Sequence, residues 1–309
     1  MPHILSIPRE LRDEIYKHNL QEPLTASPPT LQSQSTLSRQ TVLCLETDPD
    51  YHFGEVSVRY PTLTPLPPSH GLLQTCRQLR AELLDCIRRM PIRYKIDLAS
   101  RTDKDVLYPT WVSIPAFVKH IDVLDVQLRL RYGKTSSIIS TASNFPQGDY
   151  NDAVYKLRSD PFFGGLALLQ RFLERGVYFL SKKKRERISV GTLAVNVSVV
   201  KEDEQQALDQ ARELADDLDT WLRGETEPSF TSSMHEDKGR EDEQFRILAG
   251  KVERVVLSIV GRREREWVLQ EMLAAREKTR EVDREREREA AAAAEERRLQ
   301  ELVVAESGS

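Results

Sequence analysis

Apolar residues recur at helical spacing in two stretches of the N-terminal third. Ile7, Leu11 and Ile15 fall at i, i+4 and i+8, with Arg9, Asp13 and Lys17 opposite, and Pro8 suits a first helical turn. This pattern predicts an amphipathic helix within Ile4–Leu20 whose apolar stripe docks on a partner. A second stretch supplies one: Leu72, Cys76, Leu79, Leu83 and Ile87 keep the 3.6-residue period until Pro91 ends it.

Between these stretches, 22–38 is rich in Pro, Ser, Thr and Gln and reads as a loop. The β-prone runs 41–46 and 55–60, separated by Asp48-Pro49-Asp50, predict an inserted hairpin, and Pro61, Pro65, Pro67 and Pro68 stiffen the connector that follows.

Beyond Pro91 the period shortens towards two. Residues 92–98 alternate weakly, whereas Leu124, Val126, Leu128 and Leu130 alternate cleanly with Asp125, Gln127, Arg129 and Arg131, the mark of a half-buried strand within 118–131. Leu193, Val195, Val197 and Val199 predict another strand within 188–200. Helices are expected at 161–180 (Phe162, Leu166, Leu169, Phe172, Leu173) and 202–222 (Leu208, Ala211, Leu214, Leu218, Trp221, Leu222). Residues 133–160 read as a long loop and 224–242 as a disordered linker. Val252, Val255, Val256 and Ile259 fit either a helical stripe or a strand, and their β-branched density favours the strand. From Arg262 to Leu302 the chain reads as one helix, docked through Trp267, Val268, Met272 and Leu273 and solvated beyond them. Its run 284–289 alternates in charge, so attractive i, i+3 pairs offset repulsive i, i+4 pairs, and no a/d seam supports a coiled coil.

These elements predict an α+β fold: a helical region at 1–90 with an insertion at 21–70, a mixed-sheet core at 91–275 interrupted by the 224–242 linker, and a solvated helix and tail at 276–309.

Two strings add to this reading. Leu5-x-x-Pro8-x-Glu10-Leu11-Arg12-x-x-Ile15-Tyr16 and Leu72-Leu73-x-Thr75-Cys76-Arg77-x-Leu79-Arg80-x-Glu82 together resemble the F-box-like domain of a large group of filamentous-fungal proteins. The resemblance is confined to these two helices. It implies docking on a Skp-type adaptor of a cullin-RING ubiquitin ligase, with the rest of the chain binding a protein substrate. Leu5, Ile7, Pro8, Leu11 and Ile15, with Leu73, Cys76 and Leu79, would form the adaptor face. An ordinary F-box is contiguous; here 21–70 intervenes. A second reading stands beside the first: both helices pack into the chain's own core, and the protein is a self-contained interaction scaffold.

Composition narrows the function classes. A net charge of -4 offers no global field for nucleic acid or an anionic membrane. No apolar run is long enough to span a membrane. Cys44, Cys76 and Cys86 lack pair spacing, and the N-terminus lacks an apolar signal core, so a reduced cytoplasmic or nuclear protein is expected, as a monomer. Catalytic motifs are not legible, and no cofactor or metal is expected. Gly133-Lys134-Thr135 lacks the earlier glycine of a phosphate loop, position 128 being leucine. His120 and Asp122 share a strand face but have no second histidine to complete a facial triad. The basic run 182–187 suits a helix C-terminus, with a nuclear-import signal or a phosphate contact as the alternatives, and Asn196-Val197-Ser198 matches a glycosylation acceptor in form only. A non-catalytic protein is the expectation.

Overall fold

The computed structural model describes residues 4–24, 39–41, 57–61, 66–101, 106–131, 161–177, 187–199, 204–224 and 245–307. Its strands are β1 (Arg39–Thr41), β2 (Ser57–Pro61), β3 (Arg93–Arg101), β4 (Val106–Ser113), β5 (His120–Arg131), β6 (Ser189–Val199), β7 (Val252–Ile259) and β8 (Arg262–Val268). They form one mixed sheet in the order β1-β2-β4-β3-β5-β6-β7-β8. The helices are α1 (Arg9–Gln21), α2 (Ser69–Leu73), α3 (Arg77–Arg89), α4 (Pro161–Arg175), α5 (Glu204–Arg223) and α6 (Leu269–Ser307), with a short turn of helix at 245–249. The fold is α+β, as the pattern predicted.

Strands β3, β5, β6 and β7 run parallel, and the connections β5–α4–β6 and β6–α5–β7 advance in one direction across the sheet. With the usual right-handed crossover, successive helices then land on the same face. That face carries Ile96, Leu98, Leu124, Val126, Leu128, Leu193, Val197, Val255, Leu257 and Ile259, all buried in one cluster with Tyr16 and Leu20 of α1, Leu79 and Leu83 of α3, Phe172 of α4, and Leu218 and Trp221 of α5. Tyr94, Trp111 and Phe172 meet at its centre, the rings of Trp111 and Phe172 5.3 Å apart. The opposite face is polar along β5 and β6, with a small buried apolar pair, Ala99 and Tyr108, on β3 and β4. Asp97 lies fully buried there against Arg129, 2.6 Å away, and Asn196 donates to Gln127 at 2.9 Å.

Near the start of the parallel strands the pleat changes phase. The N–H groups of Asp122 and Val123 both donate to the Ile92 carbonyl, at 3.0 and 3.2 Å, which makes a bulge. The shift spreads across neighbours: Ile121 and Leu124, Val190 and Leu193, Val252 and Val255 are buried at a spacing of three instead of two. Gly191 sits at the crowded point, where an added Cβ would lie 3.0 Å from the Asp122 carbonyl oxygen.

Several expectations change. The run from Leu72 to Ile87 is two helices, because Cys76 is extended (φ -128, ψ 163) and Thr75 turns its hydroxyl back onto the Leu72 carbonyl at 2.7 Å. The ambiguous stretch at 251–260 is the strand β7. Residues 262–268, expected as helix, are strand β8, antiparallel to β7. A two-residue turn closes the hairpin, with Val260 (φ 50) and Gly261 (φ 76) both left-handed, as a type I′ turn requires. The helix therefore starts at Leu269, and Val268 points to solvent, whereas Trp267 is buried and donates to Asp219 at 2.7 Å. Docking also reaches further along α6 than expected. Arg276 is buried, donates to the Leu222 carbonyl at the C-terminal end of α5 at 2.9 Å, and lies over the Phe245 ring at 4.0 Å. Gly224 (φ +72) leaves room for it. From Glu281 every residue whose side chain is described is exposed.

Strand β4 had no predicted counterpart. The second arm of the predicted hairpin is β2, but its partner is β1, which lies before the predicted first arm and shares only Thr41 with it, pairing Arg39 with Pro61 and Thr41 with Arg59; residues 42–46 lie outside the described residues. Helix 161–180 ends at Arg175, before Gly176 (φ 67). The turn at 48–50, most of the predicted loops at 22–38, 133–160 and 224–242, the Gly133-Lys134-Thr135 string and the basic run up to Glu186 lie outside the described residues.

Candidate functional site

The two N-terminal helices do pair, but not through the stripes their apolar spacing suggested. Helix α1 is capped by Pro8, whose carbonyl accepts the Arg12 N–H at 3.1 Å, and ends where Pro23 cannot continue it. It turns its charged side inward. Arg12, only 7% exposed, forms a two-pronged ion pair with Glu82 of α3: Nε to Oε2 at 2.9 Å and Nη2 to Oε1 at 2.7 Å. The Tyr16 hydroxyl donates to Oε2 at 2.8 Å and Gln78 donates to Oε1 at 3.1 Å, which fills the carboxylate. The remaining Arg12 nitrogen reaches the Leu5 and Ile7 carbonyls and folds the first turn, Ile4–Ser6, back onto α1.

An outer ring closes over this knot. Arg9 contacts Asp13 at 2.7 Å and Asp85 at 3.2 Å, and Arg89 contacts Asp13 at 3.1 Å and Asp85 at 3.0 Å. Within the ring each charge touches two of opposite sign, and Arg9 also reaches Glu82 at 3.5 Å. Such exposed pairs are individually weak, but a closed ring fixes the angle between the helices. The pKa values follow. Hydrogen bonding from Arg12 above all, then from Gln78 and Tyr16, holds the Glu82 carboxyl down at about 2 against its desolvation. Desolvation, then the bond to Glu82, pushes the Tyr16 phenol up to about 12. For Asp13, burial acts upward, but the hydrogen bonds from Arg89 and Arg9 outweigh it and hold the group below its usual range.

With Arg12, Tyr16 and Leu20 inside, the other side of α1 faces out. Leu11 is 57% exposed and Ile15 41%. Ile7, one turn before Leu11, is half-buried and Pro8 is exposed. The Ile7–Leu11–Ile15 stripe, expected to dock on the second helix, instead points away from it. The other residues of the implied adaptor face are dispersed. Leu5 and Leu73 are half-buried against the core, and Cys76 is exposed at the start of α3. Leu79 is 5% exposed inside the core and cannot belong to an open face. The residues that spacing missed are Arg12, Tyr16 and Glu82. All three stand at fixed letters of the two strings, and that was their only signal in the sequence.

The other candidate cluster resolves differently. His120 Nδ1 lies 2.9 Å from the Ser189 hydroxyl, and its Nε2 lies 4.0 Å from Asp122 Oδ1, but Asp122 Oδ2 already accepts the Ile92 N–H at 2.6 Å. That carboxylate supports the bulge. Among the described residues no group of three His, Cys, Asp or Glu could hold a metal ion, and no helix is long and apolar enough to cross a membrane.

Comparison with protein-family models, curated proteins and solved structures finds no match to this chain.

Proposed function

We propose that the chain is a non-catalytic, F-box-like protein that docks a Skp-type adaptor through the outward stripe of α1 and offers its sheet domain to a protein substrate. One observation carries the reading: Leu11 and Ile15 are exposed on a helix that buries an arginine instead. Burying Leu or Ile stabilises a fold by about 1.5–3 kcal/mol each, whereas a buried ion pair contributes little net. An arrangement that leaves the aliphatic side out is poor for stability and suited to a partner. Two adjacent exposed aliphatics in the i, i+4 relation form the anchor pattern by which helices dock into apolar grooves.

The test is co-purification of the full chain with a Skp-type adaptor. Leu11→Asp with Ile15→Asp should abolish capture while leaving the thermal midpoint within about 2 °C, since exposed substitutions fall within about 0.5 kcal/mol. Capture that survives both substitutions defeats the proposal.

A second reading has its own support. Tyr16, Leu20, Leu79 and Leu83 all join the one core, so the helix pair is part of the sheet domain. In that reading the chain is a self-contained scaffold, and no adaptor is captured by the wild-type protein.

A further inference from the structure

Helix α3 carries four arginines against two acids, and its packing separates them. Both acids turn towards α1, Glu82 into the knot with Arg12 and Asp85 into the ring with Arg9 and Arg89. Arg77, Arg80 and Arg88 are left exposed about a third of a turn away, and none makes an ion pair among the described residues. The first turn of α3 contains no acidic residue to offset Arg77 and Arg80. Between the two ends of this row lie exposed Ala81 and half-buried Leu84. The result is a cationic row about 16 Å long, at 1.5 Å per residue, with an apolar centre.

We propose that this face of α3 is an interaction surface for an acidic protein segment, with carboxylates spaced to meet Arg77 and Arg80 at one end and Arg88 at the other, and a small apolar side chain over Ala81 and Leu84. Arginine suits the role, because its planar fork pairs two-pronged with carboxylates. Nucleic acid is the other polyanion to weigh, and the count argues against it. Three cations release few counterions, so the dependence of log K on log salt has a slope of only about -3, whereas proteins that hold duplex DNA at physiological salt make roughly 6–10 phosphate contacts. The chain's net charge of -4 adds a long-range repulsion from a long polyanion. A short acidic peptide escapes most of that repulsion. It can also use the apolar centre, which a phosphate backbone cannot. The surface is separate from the outward stripe of α1 and does not depend on adaptor docking.

The probe is a labelled heptapeptide with paired glutamates at each end and a central leucine, since in extended form about five residues span the row. Its binding to the full chain is followed by fluorescence anisotropy at low salt. We expect the combined substitution Arg77→Glu, Arg80→Glu and Arg88→Glu to weaken binding at least about tenfold. The same charge change on α6, Arg284→Glu with Arg286→Glu and Arg288→Glu, should leave it unchanged. The peptide with glutamines for glutamates should bind at least about tenfold more weakly. Equal losses from the two triple variants, equal binding of the glutamine peptide, or tighter binding of a 12-base-pair DNA duplex would each overturn the proposal. If the α3 triple variant does not fold, Arg77→Glu and Arg88→Glu taken singly, at opposite ends of the row, should each weaken binding about threefold, and no loss from either also overturns it.

Discussion

Removing the Glu82 carboxylate tests how α1 is held. In Glu82→Ala the Arg12 guanidinium keeps only the Leu5 and Ile7 carbonyls, and the Tyr16 hydroxyl loses its acceptor. Breaking a buried pair by deleting one partner costs about 3–5 kcal/mol, and because this pair sits just under a solvated ring of ions, the lower end applies. For a chain of this size about 3 kcal/mol corresponds to roughly 6–12 °C in thermal midpoint, measured by calorimetry or circular dichroism at pH 7. Replacing the whole knot with apolar groups, Arg12→Met with Tyr16→Phe and Glu82→Leu, leaves no unpaired charge and should stay within about 1–2 kcal/mol of wild type. The pH dependence has a definite sign. The Glu82 pKa falls from 4.5 to about 2 on folding, so its contribution is complete above pH 4.5 and is lost as pH drops towards 2. Glu82→Ala should flatten that part of the stability profile. A single-variant loss under about 1 kcal/mol, or an apolar triple variant as unstable as the single one, would refute the view that the knot holds the helices together.

Three smaller predictions concern the frame. Val260→Asn should raise stability by about 1 kcal/mol in a denaturant titration, because a β-branched residue is held at φ 50 in a type I′ turn where asparagine is at ease. Gly191→Ala should cost about 1–3 kcal/mol in the same assay, since its Cβ meets backbone at the bulge. Ending the chain after Arg280 should leave the thermal midpoint nearly unchanged, whereas Arg276→Ala in the full chain should lower it by roughly 2–6 °C through loss of the Leu222 carbonyl bond and the Phe245 contact.

The parts of the fold that could be read from the sequence are those whose burial is periodic. Strands β5 and β6 and helices α4 and α5 announce themselves because their inward residues are apolar at regular spacing; β7, where the bulge puts Val252 and Val255 three apart, fits either period and is told from a helix only by its β-branched density. Strand β8 does not: Arg262-Arg263-Glu264-Arg265-Glu266 has no aliphatic face, and its pairing follows from the Val260-Gly261 turn, which folds it back on β7. Arg276 reads as part of the solvated helix because its burial depends on a carbonyl of α5 and an aromatic ring at 245, neither of which leaves a trace in local pattern. At the candidate site the stripe itself was legible but its direction was not. Helix α1 has two apolar sides, Ile7–Leu11–Ile15 and Tyr16–Leu20, and hydrophobicity alone does not choose between them.

The choice is made by the polar seam, and this leads to a last expectation. Apolar packing is non-directional, so a helix with two apolar sides can in principle roll about its axis and bury Leu11 and Ile15 in place of Tyr16 and Leu20. The two-pronged Arg12–Glu82 pair and the four-charge ring are directional and admit one rotation. In the apolar triple variant the knot no longer opposes rolling, although stability is retained; conformational specificity, not stability, is what the ions would supply. We therefore expect a cysteine placed at position 11, in a Cys76→Ser background, to react with a maleimide at one uniform rate in the otherwise native chain. In the apolar triple variant it should react more slowly or in two phases, read by mapping the modified peptide containing position 11. If that residue stays equally open in both chains, the seam does not set the rotation of α1. The exposure of Leu11 and Ile15 would then follow from the rest of the core, and the case for a helix held apolar side out for a partner would lose its structural cause.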